Sequence, residues 1–315
     1  MEKEQGKQTE KIKTKTIIQY VIIILVGLSL GVTGGIIAKK NLGQVETDYS
    51  DFDANSYNMD AAKLVEEYEK KPNKDFTPAE LVNIGLEKYR RCTNSYSYGV
   101  GTASTIVNQT IRNAQIKNGD QYFEETISRS SMVAIANRVT QTDVGQGVSL
   151  NKGKANDSES GTYKNEPIEY TSEQYKEDWG KTLDEMFIYI ISNESVIAEN
   201  CVTTKTDDFI QVYLELDVDI STYYYKYQMK SISNLSALPT FSSLKHTYTF
   251  SKDMTLLHCK VDEKYKAAMA GVSASIHNVI DYYYHANEFK EIPSLDEKID
   301  YSLKGDLTIN KSSKN

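Results

Sequence analysis

Residues 209–218, FIQVYLELDV, alternate without a break. Ile210, Val212, Leu214, Leu216 and Val218 fall on one side, and Phe209, Gln211, Tyr213, Glu215 and Asp217 on the other. Side chains along a strand point to opposite faces in turn, so this stretch predicts a strand with one face in a core. Val272–Tyr284 repeats the pattern, with Val272, Ala274, Ile276, Ile280, Tyr282 and Tyr284 on one side. Between the two, Leu244–Phe250 and Met254–Asp262 read as a hairpin about Ser251–Asp253. Ser221–Asn234 reads as a helix with Tyr225, Met229 and Ile232 inward. Upstream, Tyr175, Trp179, Leu183, Met186 and Ile190 step by three or four, an apolar helical stripe.

Further toward the N-terminus, Thr77-Pro78-Ala79-Glu80 is a capping box with Pro at the first helical position, and Val82, Leu86 and Tyr89 share a face behind it. Asn118-Gly119 between two extended segments predicts a two-residue hairpin. That register sets Lys117 opposite Asp120, Ala114 opposite Phe123, and Arg112 opposite Glu125. Val133, Ile135 and Val139 indicate another strand. Gly145–Gly161, GQGVSLNKGKANDSESG, is poor in apolar residues and reads as a long loop.

Residues 17–38, IIQYVIIILVGLSLGVTGGIIA, carry no charge. As a helix they would run about 33 Å, against a hydrocarbon core of roughly 30 Å. The stretch exceeds a signal-peptide core and runs straight into Lys39-Lys40, so a retained single-pass anchor is expected. Five Lys precede it and two follow, which predicts a cytoplasmic N-terminus and an extracytoplasmic C-terminal domain at the cell membrane. Gly27, Gly31 and Gly35 share one face of the span, a pattern that packs helices closely and allows a homodimer. The expected organisation is a cytoplasmic tail (1–16), the span (17–38), an acidic stalk (39–75) and an extracytoplasmic domain (76–302). A flexible tail (303–315) follows. A short helix is expected around Met59–Lys71.

Beyond the flanks of the span the chain carries 29 Lys+Arg and 41 Asp+Glu, a charge of −12. Without a basic patch there is no counterion release to drive nucleic-acid binding. GxSxG, HExxH, CxxC, Walker A and GxGxxG are all missing. SxxK occurs at Ser149/Lys152 and Ser242/Lys245, but without the companion SDN and KTG segments. His246, His258 and Cys259 are too few for a tetrahedral metal site, and alternation sends His258 and Cys259 to opposite faces. No enzyme, metal or cofactor is therefore expected. The three cysteines, Cys92, Cys201 and Cys259, admit one bridge, Cys201–Cys259 being the favoured pair.

The closing stretch TYTFSKDMTLLHCKVDEKYKAAMAGVSASIHNVIDYYYHANEFKEIPSL, taken with the order of elements over 76–302, resembles the LolA/LppX-like extracytoplasmic lipoproteins. The resemblance implies an α+β fold, a curved antiparallel sheet packed on helices, here preceded by a transmembrane helix. It also implies a cavity for lipid or acyl chains. The corresponding ligand groove would be lined by Trp179, Met186, Ile190, Ile210, Val212, Leu214, Leu216, Tyr225, Met229, Ile280, Tyr282 and Tyr284. The function expected is a membrane-tethered binding module for a lipid, lipoprotein or other hydrophobic ligand. The alternative is a scaffold component of an envelope or secretion complex.

Overall fold

The capping box at Thr77 forms as its spacing predicts. The Thr77 backbone N–H donates to Glu80 Oε2 at 2.8 Å, and the Glu80 N–H donates to Thr77 Oγ1 at 3.2 Å. In the computed structural model, which describes residues 54–57, 59–105, 107–131, 133–143, 146–179, 183, 189–233, 235–269 and 272–304, this cap starts helix α2 (Pro78–Arg90). Helix α1 (Ala61–Lys70) precedes it, and Val65, Leu64 and Tyr68 of α1 pack into the same core. The other helices are α3 (Ser172–Trp179), α4 (Val218–Ser221) and α5 (Tyr223–Ser233).

The sheet is built from β1 (Asn94–Ser104), β2 (Asn108–Asn118), β3 (Gln121–Arg129), β4 (Ala134–Gln141), β5 (Val148–Ala155), β6 (Gly161–Tyr163) and β7 (Ile168–Tyr170). It continues through β8 (Val202–Lys205), β9 (Phe209–Glu215), β10 (Thr240–Ser251), β11 (Leu256–Met269) and β12 (Val272–Ala286). All twelve belong to one sheet, ordered β6-β5-β4-β3-β2-β1-β12-β11-β10-β9-β8, with β7 also paired to β5. Every pairing is antiparallel. Two meanders, β1–β7 and β8–β12, are thus joined where the first strand of one pairs with the last strand of the other.

This corrects the expected fold class. Among the described residues strand far outnumbers helix, and the architecture is a mostly β, open twelve-stranded antiparallel sheet rather than an α+β fold. The difference arises in the first meander. Gly145–Gly161, read as a loop, contains β5, which buries Val148 and Leu150 on one face and Ala155 on the other. Among the described residues no helix is long and apolar enough to cross a membrane. The span expected at 17–38, with Gly27, Gly31 and Gly35, lies outside the described residues.

The first hairpin forms with a different register. Asn118 pairs with Gln121, Ile116 with Phe123 and Ala114 with Glu125. The loop is Gly119-Asp120, and Gly119 has φ +59°, the left-handed backbone that a II′-type turn puts at its first central position. Each β2 residue therefore meets a β3 residue two places further on, which leaves every side chain on its expected face. All three cysteines are free. Cys259 lies on β11 while Cys201 precedes β8, with β10 and β9 between them. At about 4.8 Å per strand that separation is beyond disulfide reach.

Candidate functional site: a polar floor beside an apolar core

The registers sort the side chains onto two faces. On one, α2 places Leu81, Val82 and Ile84 in a cluster with Val212, Leu214, Tyr248, Phe250 and Cys259. Helix α5 continues this cover, with Tyr225 and Met229 against Phe241, Tyr265, Ile276 and Ile280. The opposite face of the first meander is crossed by the C-terminal segment 287–304. Its Ile299 and Tyr301 pack with Tyr98, Ile116, Phe123 and Ile127.

The helix-covered face changes character at β1. The aligned residues Gly99, Asn113, Thr126 and Asn137 form one row across β1–β4, and Ser97, Gln115 and Glu124 form the next. Asn113 Nδ2 donates to Thr126 Oγ1 at 3.2 Å, and Gln115 Nε2 donates to Glu124 Oε2 at 3.0 Å. Glu124, Thr126 and Asn137 are each 3 % exposed. Asn137 Nδ2 has no hydrogen-bond partner among the described residues. A buried donor left unpaired costs about 1–3 kcal/mol, so such a position needs an explanation beyond packing.

Aromatic and apolar groups border this floor. On one side the Tyr282 ring covers Gly99, so closely that a Cβ there would stand 2.8 Å from it. On the other, Val139, Leu150, Tyr175 and Leu183 form a small apolar cluster. A cavity of about 100 Å³ lies near the first hairpin, lined by Tyr89, Gln115, Lys117, Tyr122 and Leu183 among others, and so shares Gln115 and Leu183 with the floor and its border. The arrangement supplies amide and hydroxyl donors and acceptors, one carboxylate and aromatic walls. Groups of these kinds interact by hydrogen bonding and ring contact. Among the described residues no group of three or more His, Cys, Asp or Glu is placed to hold a metal ion.

The residues expected to line a groove fall as follows. Ile210, Val212, Leu214, Leu216 and Tyr284 are in the core that α2 covers, and Tyr225, Met229 and Ile280 are in the α5 cluster. Tyr282 touches both clusters, and Ile190 is buried. Trp179 ends α3, but its side chain lies outside the described structure, as does Met186 entirely. The floor itself is new. Its one sequence signal is the pair of small residues Ser97 and Gly99, which stand opposite the polar Gln115 and Asn113 of β2. His246 and His258 stand on opposite faces, His246 beside Val261 and His258 beside Tyr283. No protein-family model matches this chain, and no curated protein is similar to it in sequence.

Proposed function

We propose that this chain is a membrane-tethered extracytoplasmic binding module whose ligand lies over the polar floor of β1–β4. The observation that carries the reading is the change in balance across one face of a single sheet. Under α2 and α5 the face is mainly apolar, with His246, Glu263 and Asn278 as its buried polar exceptions; beyond Tyr282 amides, hydroxyls and a carboxylate predominate, with Asn137 Nδ2 unpartnered among the described residues. An amphipathic ligand suits it, the hydrogen-bonding head on Asn113, Gln115 and Asn137 and the apolar part against Tyr282, Tyr175 and Leu183. A lipid or lipoprotein fragment has that chemistry. The uncharged stretch 17–38 and the Lys excess before it supply the tether and its orientation.

A scaffold role is the second reading, favoured by how fully the β9 stripe is used in the core: Val212 and Leu214 are 0 % exposed. Native mass spectrometry of the full chain released from nanodiscs separates the two. A co-purifying amphipathic molecule, lost on mutation of the floor, supports binding. A ligand-free chain in stable oligomers overturns it in favour of the scaffold.

A further inference from the structure

Glu263, on β11, is turned into the helix-covered face and is 1 % exposed. Its Oε1 accepts from Asn278 Nδ2 at 3.0 Å and from the Tyr225 hydroxyl at 3.4 Å. Its Oε2 accepts from the Tyr189 hydroxyl at 2.8 Å. Asn278 is on β12, Tyr225 on α5, and Tyr189 on the chain leading into β8, so one carboxyl ties two covering segments to the sheet. Asn278 is itself 4 % exposed, and its Oδ1 has no hydrogen-bond partner among the described residues.

An ionised carboxylate only accepts hydrogen bonds, so it has nothing to offer Asn278 Oδ1. A carboxylic acid has one O–H to give. Protonated, Glu263 would have that O–H to give to Oδ1 of the amide whose Nδ2 already donates to it. We propose that Glu263 is a proton-dependent clasp. With its proton it pairs with the Asn278 amide and holds Tyr189 and Tyr225, and their segments, on the sheet. Without it, Asn278 Oδ1 is left unpaired, a charge lies beneath α5, and the cover opens.

Burial pushes the Glu263 carboxyl up from its ordinary value, against the lowering effect of its three donors, and the Asp262 charge adds to the rise. The closed form therefore keeps its proton to higher pH than an opened, solvated form. Between the ordinary value near 4.3 and the raised one, opening increases with pH by up to about tenfold per unit, then levels off. Other groups facing the site do not mimic this. The His246 ring, 4.8 Å from that of Tyr189, is held neutral because burial pushes its pKa down to about 3. Tyr189, Tyr225, Tyr265 and Tyr282 are all raised above ordinary phenols, chiefly by burial. Asp262, on the opposite face, pairs with His277 at 2.9 Å, and both remain in the variant used as control.

Hydrogen exchange of the full chain in nanodiscs, read over residues 189–201 and 223–233 from pH 4 to 8 and corrected for intrinsic rates, tests the clasp. Opening in the wild type should climb by up to about tenfold per pH unit and then level off, while E263Q, neutral and isosteric, should show no climb. A flat wild-type profile, or the same climb in E263Q, overturns the proposal. Should E263Q not fold, the protonated-carboxyl infrared band of wild-type protein labelled at Glu decides. A buried Glu titrating above the ordinary carboxylate range supports the clasp, and none doing so sinks it.

Discussion

Arg138 and Glu125 meet across β4 and β3 as a buried ion pair, 2.5 Å between Nε and Oε2, with the two side chains 4 % and 1 % exposed. The remaining valences are satisfied. Tyr163 and Tyr301 donate to Glu125, and the Arg138 guanidinium also donates to the carbonyls of Ser294 and Glu297. The pair thus fastens the C-terminal segment across the first meander. Removing one partner strands the other charge, so Arg138→Ala and Glu125→Ala should each lose about 3–5 kcal/mol in denaturant unfolding. The double change Arg138→Met/Glu125→Leu should lose much less, because neither charge is left behind. Equal losses for the single and double variants would show that the pair is not the source of the effect.

Gly85 sits mid-helix in α2, where Ala would ordinarily gain about 1 kcal/mol. Here the sign reverses. A Cβ at this position would stand 2.1 Å from the Phe250 ring, and Phe250 is itself wholly buried. Gly85→Ala should destabilise by about 1–3 kcal/mol through overpacking. Thermal denaturation of Gly85→Ala beside Gly85→Ala/Phe250→Leu checks it: the second change should recover part of the loss. A Gly85→Ala chain more stable than wild type would contradict the packing described.

His246 gives the fold a pH dependence at its acidic end. It is wholly buried, its Nδ1 lies 3.0 Å from the Tyr248 hydroxyl, and burial pushes its pKa down to about 3. The unfolded chain takes up a proton near pH 6.5, whereas the folded chain does not until near 3. Stability is therefore fully present above about 6.5 and is lost as pH falls through that window, by at most about 1.4 kcal/mol per unit. Urea midpoints of wild type and His246→Phe between pH 4 and 8 measure it. The wild-type curve should fall more steeply with acid, and parallel curves would remove His246 as the cause.

What the sequence made legible was local. The alternation at 209–218 and the capping box at Thr77 rest on neighbours in the chain, and both formed. Even there the strand ends early. The Asp217 side chain accepts from the N–H groups of Asp219 and Ile220, both at 2.9 Å, and so caps α4 and turns Val218 into a helix start. What was not legible depends on distant partners. Arg112 and Arg138 are equally good candidates for Glu125 until β3 is known to pair with β4. Val148 and Leu150 make a strand only because Val139 and Tyr175 wait beside them. Nothing local marks Asn113, Gln115 and Asn137 as a covered row, because alternation tells which side chains share a face, not which face is covered.

Asn137 offers the sharpest test of the floor. Its Nδ2 is unpartnered among the described residues at a position 3 % exposed, between Thr126 and Lys152 in the sheet register. If the floor served packing alone, Asn137→Leu would remove an unpaired donor and should raise stability, by about 1–3 kcal/mol. The same change takes away a hydrogen bond that a ligand would receive, so a binding floor should lose its ligand while the fold gains. Unfolding midpoints and native mass spectra of the same preparations separate these readings. The expected result is a higher midpoint together with a co-purifying molecule reduced by about tenfold or more, since one lost hydrogen bond of about 1.4 kcal/mol is tenfold in affinity. Glu124→Gln, which keeps the shape of the second row but removes its charge, tells how much of that recognition is ionic. Retention of the molecule in both variants, with stability raised in Asn137→Leu, would leave the floor as a structural layer and move the binding surface elsewhere.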